Sequence, residues 1–252
     1  MEFTISPKRT ARILVLVVMF LTFVGVAAKV VRVFWGYGGI LEAASLFDTG
    51  KEETIPTWYS SLALLLCSVL LATIAAAKKR ECDRYARHWG ALSVLFLLLS
   101  IDEVATIHET LGYEVGAYLL GSMNITPTSF IYHVWVLPGA VFVLVVLLAY
   151  LRFLSHLPKK TRLLFLLAGA LFVLGAIGVE MLEAQQLYFF SYESGEAKWR
   201  DLPVDVKVWS SVRQSLEEAL EMLSIVVFIY AMLSYMSSLM KEVTVRIGTK
   251  GE

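Results

Sequence analysis

Six long apolar runs dominate this sequence and leave few folds open to it. A helix needs about 20 residues to cross a hydrocarbon core about 30 Å thick. Runs of that length lie near 12–34, 57–77, 89–111, 131–153, 162–189 and 209–238. Because lipid offers no hydrogen-bond partners, each run must satisfy its own backbone N–H and C=O groups as a helix. We therefore predict an all-α, polytopic transmembrane bundle of about six helices.

The composition agrees with a lipid-embedded chain. Hydrophobic residues make up 58% of the 252 and charged residues 17%, against about half and a quarter in soluble domains. The 22 basic and 22 acidic residues cancel, so no overall charge attracts nucleic acid. No loop is long enough to fold alone. We predict one integral membrane domain over 1–252, surrounded by membrane lipid, with no nucleic-acid partner and with its oligomeric state left open.

Basic residues concentrate in the segments that would share one side of a six-helix bundle. These segments are 8–12, 78–87, 152–162 and 241–250. Lysine and arginine are enriched in the cytoplasmic loops of membrane proteins, so we expect this side to be the cytoplasm. An even number of crossings then places both termini there, and we expect the membrane to be the plasma (inner) membrane.

The connecting segments and the cysteines carry weaker signals. The segment 40–47 is expected to form a short helix on the membrane surface. The segment 191–208 is polar, contains Pro203 and is predicted to be a loop. Cys67 lies in an apolar run and Cys82 in a basic loop, a placement that suits neither a disulfide framework nor a CxxC metal site.

The third apolar run carries four ionisable side chains in its predicted outer half. They are Asp102, Glu103, His108 and Glu109. Each such group costs about 2.5 to 3.5 kcal/mol on membrane-insertion scales. At about 100° per residue, Asp102, Thr106 and Glu109 form one stripe with Glu103 on its flank. We expect this stripe to face the interior of the bundle.

Three other runs place polar side chains at the same predicted depth. The fifth run ends with Glu180 and Glu183, which share a face because they are three residues apart. The fourth begins near His133. The sixth carries Gln214, Glu217, Glu221 and Ser224 along one face, with Glu218 beside them. Four helices thus bring acids or histidines to one level.

Carboxylates gathered at one depth repel one another unless cations or protons lie among them. The candidates are a metal ion, transported cations, protons, or the chain's own Lys29, Arg32 and Arg213. Oxygen and imidazole ligands suit Zn, Fe or Mn, and oxygen ligands alone suit Ca or Mg. About four carboxylates and two histidines are also the ligands of di-iron and di-manganese bundles, although the usual Glu-x-x-His spacing is absent.

We therefore predict a divalent metal ion held in the outer half of the bundle. The predicted ligands are Asp102, His108, Glu109, His133, Glu180, Glu217 and Glu221. The candidates for a general acid or base are Glu103, Glu183 and Glu218. We expect a membrane-embedded metalloenzyme, a hydrolase or an oxidoreductase, that acts on a lipid or a small amphiphile.

Three other interpretations use the same residues. The first alternative is a cation or proton transporter built on the same carboxylates, although the acids cluster at one end and no inverted repeat is evident. The second is a non-catalytic sensor or assembly factor that binds Ca²⁺ structurally. In the third, the acids pair with the chain's own cations, or lie at the positive end of a helix, and serve structure alone.

Several catalytic motifs are absent. His108-Glu109 begins like the zincin motif His-Glu-x-x-His, but position 112 is Gly. There is no Ser-x-x-Lys, Gly-x-Ser-x-Gly or Walker loop. A pair of bis-histidine haems would also require His88 with His156, but both are expected to be solvated at the cytoplasmic helix ends.

Overall fold

The computed structural model describes residues 2–4, 6–35, 39–48, 54–122, 136–179, 181–182, 202–239 and 244–246. Within these residues, six helices are long and apolar enough to cross a membrane. The elements in chain order are β1 (Glu2–Thr4), α1 (Pro7–Phe34), a 3-10 helix (Gly39–Phe47), α2 (Ile55–Arg80), α3 (Ala86–Ala105), α4 (Ile107–Ser122), α5 (Val136–His156), α6 (Lys159–Val173), a π segment (Leu174–Val179), α7 (Val204–Leu239) and β2 (Thr244–Arg246). The predicted six-helix transmembrane bundle is confirmed, and the chain has the architecture of an integral membrane protein.

The first two spanning helices begin earlier than their apolar runs. α1 begins at Pro7 instead of near 12, and α2 begins at Ile55 instead of near 57. Proline is favoured in a first helical turn because its missing N–H would have no partner there. α2 also continues to Arg80, since basic side chains favour the negative end of a helix. Hydropathy alone does not detect these polar end turns.

α2 and α3 form an antiparallel hairpin held by two pairs of serines. The Ser61 hydroxyl donates to the Ser100 carbonyl at 2.7 Å, and the Ser100 hydroxyl donates to the Ser61 carbonyl at 2.8 Å. Ser68 and Ser93 repeat this exchange at 2.8 and 2.9 Å. The two serines of each helix are seven residues apart and so share a face. Small side chains let the backbones approach closely, and the exchange fixes the register of the hairpin.

α7 is the central helix of the bundle. It lies against α1, α2, α6 and the π segment. Along its second half Met222, Ile229 and Met232 are fully buried. A helix that is apolar on most of its faces suits such a position. α1 and α6 make their most extensive contacts with α7, whereas α2 packs mainly against α3.

An aromatic core fills the bundle beside the second half of α7. Trp89 and Phe153 are both 1% exposed, and their ring centroids are 4.9 Å apart. Phe165 lies 5.9 Å from Trp89 and 4.4 Å from Phe228. Rings from α3, α5, α6 and α7 thus meet in one cluster, and aromatic contacts of this kind add to the gain from burial.

Basic side chains lie at the same end of the bundle as this aromatic core. Lys78 Nζ lies 5.9 Å from the ring centroid of Tyr235, and Lys160 Nζ lies 5.5 Å from that of Tyr230. Cations are attracted to the faces of aromatic rings. This end, which carries Lys78 and Lys160, is termed the basic end below.

A short β-ladder joins the two ends of the chain. β1 pairs with β2 in antiparallel register, with Phe3 opposite Val245. Each strand contributes three residues. The ladder is the one addition to an otherwise helical fold in the described residues.

The predicted third span is wrong in its last turns. α3 ends at Ala105, and Thr106 adopts a left-handed conformation with φ 48° and ψ 36°. The Thr106 N–H donates to the Asp102 carbonyl at 2.7 Å, which closes the end of α3 before α4 begins. A β-branched residue rarely adopts this conformation. The predicted stripe of Asp102, Thr106 and Glu109 therefore does not run along one helix.

The predicted fifth span also differs in its second half. It begins at Lys159 instead of near 162, and it changes from α to π geometry over Leu174–Val179. Short π segments often occur at functional sites. Glu180, and all residues of the predicted span beyond 182, lie outside the described residues.

The last long helix, α7, begins earlier in the sequence than predicted. α7 begins at Val204, directly after Pro203, so the loop predicted over 191–208 is wrong for its last residues. Asp205 and Lys207 lower the local hydropathy, but an acid in the first turn favours the positive end of a helix. The short helix expected over 40–47 is confirmed as the 3-10 helix.

Candidate functional site

α3 and α7 run antiparallel and are bridged by two stacked aromatic pairs. Trp89 stacks on Tyr235 with centroids 5.1 Å apart and planes 21° apart. Phe96 stacks on Phe228 at 4.6 Å and 14°. On each helix the two rings are seven residues apart, about 10 Å along the axis. These two pairs fix the register of α3 against α7.

Glu103 lies seven residues after Phe96 on α3, and Glu221 lies seven residues before Phe228 on α7. Both helices are continuous over these seven residues. Residues seven apart share a helix face, so extending the register of the aromatic pairs by seven residues predicts that the two glutamates lie at one level. Both side chains are half-buried. This pair is termed the acidic rung, and the end of the bundle that carries it is termed the acidic end.

The π segment lies directly against α7 beside the acidic rung. A methyl group on Gly175 would come within 3.1 Å of the Glu217 carbonyl oxygen and 3.2 Å of Glu221 Cγ. Without a Cβ, glycine permits this close approach. The contact places Glu217 and Glu221 at the crossing of α7 with the π segment, which leads directly to Glu180 in the sequence.

Two cationic side chains of α1 lie near the acidic end. Lys29 is 2% exposed, and its Nζ donates to Gln214 Oε1 at 3.2 Å, one helical turn before Glu217. Arg32 Nη1 donates to Asp48 Oδ2 at 3.3 Å, and the Asp48 side chain is fully buried. Arg32 is thus paired with an acid outside the predicted site.

The described acids of the predicted site divide between two helices. Asp102 and Glu103 lie in the last turn of α3, and three more acids lie in the first half of α7: Glu217, Glu218 and Glu221. All five are half-buried, and each interacts with other parts of the chain. Asp102 is rotated by about 100° from Glu103, so of the two only Glu103 continues the aromatic stripe.

The other five predicted residues fall on the part of the chain left undescribed. The side chains of His108 and Glu109, and His133, Glu180 and Glu183 as a whole, lie outside the described residues. Among the side chains that are described, no three histidines, cysteines or acids are grouped so that they could hold a metal ion. A complete ligand set would therefore need contributions from these five residues.

The two histidines of the basic end differ from each other. His156 is exposed, in agreement with the expectation of a solvated side chain. The Nδ1 atom of His88 is buried and has no hydrogen-bond partner among the described residues, so the expectation is wrong for this atom. The His88 ring stacks on Phe153 at 5.7 Å, and both imidazoles contact Tyr85. His88 therefore belongs to the aromatic core.

Two residues of the acidic end, Asp48 and Gly175, were not among the site residues predicted from the sequence. Asp48 is fully buried against Arg32, but nothing in its sequence context separates it from the other acids of the 36–54 connection. Gly175 belongs to a glycine series that also includes Gly169 and Gly178. Small residues in spanning helices often mark close helix contacts, so this series was a usable signal.

The comparison with protein families gives one match. Residues 11–236 match a family described as a domain of unknown function, DUF8692. The matched stretch contains the acidic rung, the π segment and nearly all of the six spanning helices. A search of curated proteins finds no match to the chain. A search of solved structures finds none either. Because the matched residues make up most of the chain, the protein belongs to the DUF8692 family.

Proposed function

We propose that this protein is a membrane-embedded, metal-dependent enzyme that acts on a lipid or a small amphiphile, with the acidic rung at the centre of its site. The observation that carries the proposal is the register of the two aromatic pairs of α3 and α7, which places Glu103 and Glu221 seven residues beyond Phe96 and Phe228 toward the same end of the bundle. Ionisable groups within a membrane are costly and are functional by default. Two carboxyl groups at one depth favour a cation or a proton between them.

The side chains proposed for this site suit a divalent cation. Glu103 and Glu221 offer carboxylate oxygens, and Glu180 and His108 follow the π segment and Thr106 closely in sequence. Carboxylate with imidazole suits Zn, Fe or Mn, and carboxylate alone suits Ca. When bound, such a metal polarises a substrate oxygen or activates a water molecule. Glu218, beside Glu217 on α7, would hold or move a proton as general acid or base.

The aromatic core favours an enzyme over a transporter. Between the acidic rung and the basic end, the Phe228 ring of α7 contacts Phe96 of α3 on one side and Phe165 of α6 on another. An ion that crossed the bundle by this path would have to displace apolar side chains without replacing its hydration. A substrate would then approach the acidic rung from the acidic end or from the bilayer.

The distribution of charge favours one orientation. Lysine and arginine at the basic end favour its placement in the cytoplasm. This placement puts both termini in the cytoplasm and opens the acidic end to the other face of the plasma (inner) membrane. The substrate would come from the outer leaflet.

Metal analysis of the purified protein tests the metal site. The wild type and the variants Glu221→Gln and Glu114→Gln are purified in metal-replete buffer, and bound metal is measured by inductively coupled plasma mass spectrometry. Glu114 is an exposed acid of α4 and serves as the matched control. We expect metal in the wild type and in Glu114→Gln, and its loss from Glu221→Gln. A wild-type protein without bound metal would overturn the proposal.

Turnover tests the enzymatic part of the proposal. The wild type and Glu221→Gln are reconstituted in vesicles of membrane lipid extract, and the lipids are compared by mass spectrometry before and after incubation. We expect a lipid product with the wild type that is absent with the variant. Bound metal without any change in lipids or added amphiphiles would favour the structural, non-catalytic alternative.

One observation favours the transporter as a second candidate. Two helices are interrupted near the acidic rung, at Thr106 and at the π segment. Interrupted helices form the ion and substrate sites of many transporters. Cation and proton flux into proteoliposomes separates the two functions. Flux that Glu221→Gln abolishes and Glu114→Gln preserves would replace the enzyme with a transporter.

A further inference from the structure

Two polar segments at the basic end, 78–87 joining α2 to α3 and 152–162 joining α5 to α6, are held together by Tyr85. This residue is 9% exposed, and its hydroxyl donates to the Arg152 carbonyl at 3.3 Å. Its ring also contacts the His156 imidazole, with centroids 4.7 Å apart. The two segments therefore form one continuous part of the surface of the protein.

The two segments are strongly basic. They contain nine lysines and arginines but only two acids. Both acids lie beside the buried Lys78, whose Nζ is 2.8 Å from Glu81 Oε2 and 3.9 Å from Asp83 Oδ2. Seven of the other basic side chains are exposed, and among the described residues none of the seven forms an ion pair with an acid. These seven, termed the basic surface below, are Lys79, Arg80, Arg84, Arg87, Arg152, Lys159 and Lys160.

The basic surface lies at the depth of the lipid headgroups. α2 and α5 end in the two segments, and α3 and α6 begin there, so the segments mark the edge of the apolar spans. Lysine and arginine at this depth attract anionic lipids. The first turns of α3 and α6 contain no acid, so no carboxylate of these turns competes with a lipid phosphate for the positive helix ends.

Arg84 is held in a fixed position within the basic surface. Its guanidinium carbon lies 4.7 Å from the centroid of the Tyr85 ring, and Tyr85 is fixed in turn by its contacts with α5. A planar guanidinium donates two parallel hydrogen bonds to a phosphate. Because the stacked side chain is already ordered, it loses less conformational entropy on binding than a freely rotating arginine.

We propose that the basic surface binds the phosphate groups of anionic lipids, with Arg84 as a principal contact. The partner is a lipid and not a soluble anion, because the surface lies at headgroup depth, where lipid phosphates are concentrated beside the protein. Zwitterionic lipids carry no net charge and gain less from this surface. The inference does not depend on the proposed function, since the acidic rung lies at the other end of the bundle.

Retention of lipid by the full chain tests this site. The protein is purified in an uncharged detergent and titrated with phosphatidylglycerol or with phosphatidylcholine of the same acyl chains, and native mass spectrometry measures the lipid that stays bound. We expect tighter binding of phosphatidylglycerol, weakened by added salt because salt screens exposed charges. Equal binding of the two lipids would overturn the inference. Displacement of phosphatidylglycerol by an equal concentration of inorganic phosphate would also overturn it, because the ligand would then be free phosphate.

Arginine variants locate the site. Arg84→Gln and Arg152→Gln each remove one charge from the basic surface and should weaken phosphatidylglycerol binding about fivefold. Arg84→Lys keeps the charge and should bind more tightly than Arg84→Gln. Arg12→Gln is the matched control and should leave binding unchanged, since Arg12 is an exposed arginine of α1 at the same end but outside the two segments. An equal loss in Arg12→Gln would show a general effect of charge and would overturn the site.

Arg84→Gln also loses a ring contact, so its melting temperature is measured in the same detergent. If the melting temperature falls, Arg87→Gln replaces this variant, because Arg87 is exposed and contacts no ring among the described residues. Unchanged phosphatidylglycerol binding in both Arg87→Gln and Arg152→Gln would overturn the inference.

Discussion

Gly175 and Glu221 meet where the π segment crosses α7, at a contact that leaves little space for a side chain. A methyl group on Gly175 would lie 3.2 Å from Glu221 Cγ and 3.1 Å from the carbonyl oxygen of Glu217. The carbonyl oxygen of Glu217 belongs to the backbone of α7, so it can move only if the helix moves. The approach of the π segment to the acidic rung therefore depends on this glycine.

We expect Gly175→Ala to lower the melting temperature and to reduce metal retention, because the added methyl group pushes the π segment away from α7. Gly169→Ala is the matched control, since a methyl group at this position of α6 would meet nothing within 4 Å. Alanine there gains about 0.5–1 kcal/mol of helix propensity, so stability should be unchanged or raised. Differential scanning fluorimetry in detergent measures both. Equal effects of the two substitutions would contradict the close contact.

The reciprocal serine pairs should behave as coupled units. Hydrogen bonds between spanning helices average about 0.6 kcal/mol in double-mutant cycles. The two hydroxyl oxygens of Ser61 and Ser100 also lie 3.2 Å from each other, so we expect Ser61→Ala and Ser100→Ala to be non-additive by up to about this amount, measured by unfolding in mixed micelles. Thr73 donates to the Val69 carbonyl of its own helix, so Thr73→Ala should be additive with Ser100→Ala. Additivity in both pairs would argue against a direct contact between the Ser61 and Ser100 hydroxyls.

The Arg32–Asp48 pair should stabilise the junction of α1 with the 3-10 helix. Asp48 is fully buried, while the Arg32 side chain is 29% exposed. Removing one partner of a fully buried pair costs about 3–5 kcal/mol, and partial exposure of Arg32 should reduce this to about 1–3 kcal/mol. Glu81 is 56% exposed in its pair with Lys78, so Glu81→Ala should cost under about 1 kcal/mol. A smaller loss for Asp48→Ala than for Glu81→Ala, by chemical unfolding, would contradict this ranking.

The aromatic stacks should be required for both stability and the acidic rung. Phe228 is 8% exposed and contacts Phe96 and Phe165 at 4.6 and 4.4 Å. Truncation of a buried Phe costs about 3–5 kcal/mol, so Phe228→Ala should unfold at lower denaturant and lose metal. Phe142 is 50% exposed on α5, and Phe142→Ala should change neither property. Full metal retention in a folded Phe228→Ala protein would show that the rung does not depend on this stack.

Hydropathy predicted the number of spanning helices because the cost of unpaired backbone groups in lipid applies to each segment separately. The break at Thr106 could not be predicted in this way. A left-handed helix end is usually marked by glycine or asparagine, and the sequence there is Ala105-Thr106-Ile107. The surrounding structure, not local preference, sets this conformation.

The site was predictable in its residue types and less so in its arrangement. Glu103 and Glu221 were both candidates from the cost of burying acids in a membrane. Their common level depends on which rings stack across α3 and α7, and the sequence does not reveal which of its many aromatic residues pair. Asp48 was not predicted because it lies in the segment between α1 and α2, where no helical periodicity distinguishes a buried acid from an exposed one.

The acidic rung is tested most directly by an experimental density map of the protein in lipid nanodiscs, prepared with metal. We expect density for an ion within bonding distance of the carboxylates of both Glu103 and Glu221, and its disappearance in Glu221→Gln. A map in which these two carboxylates are far apart, with no ion between them and each bound by cations of the chain such as Lys29 or Arg213, would contradict it.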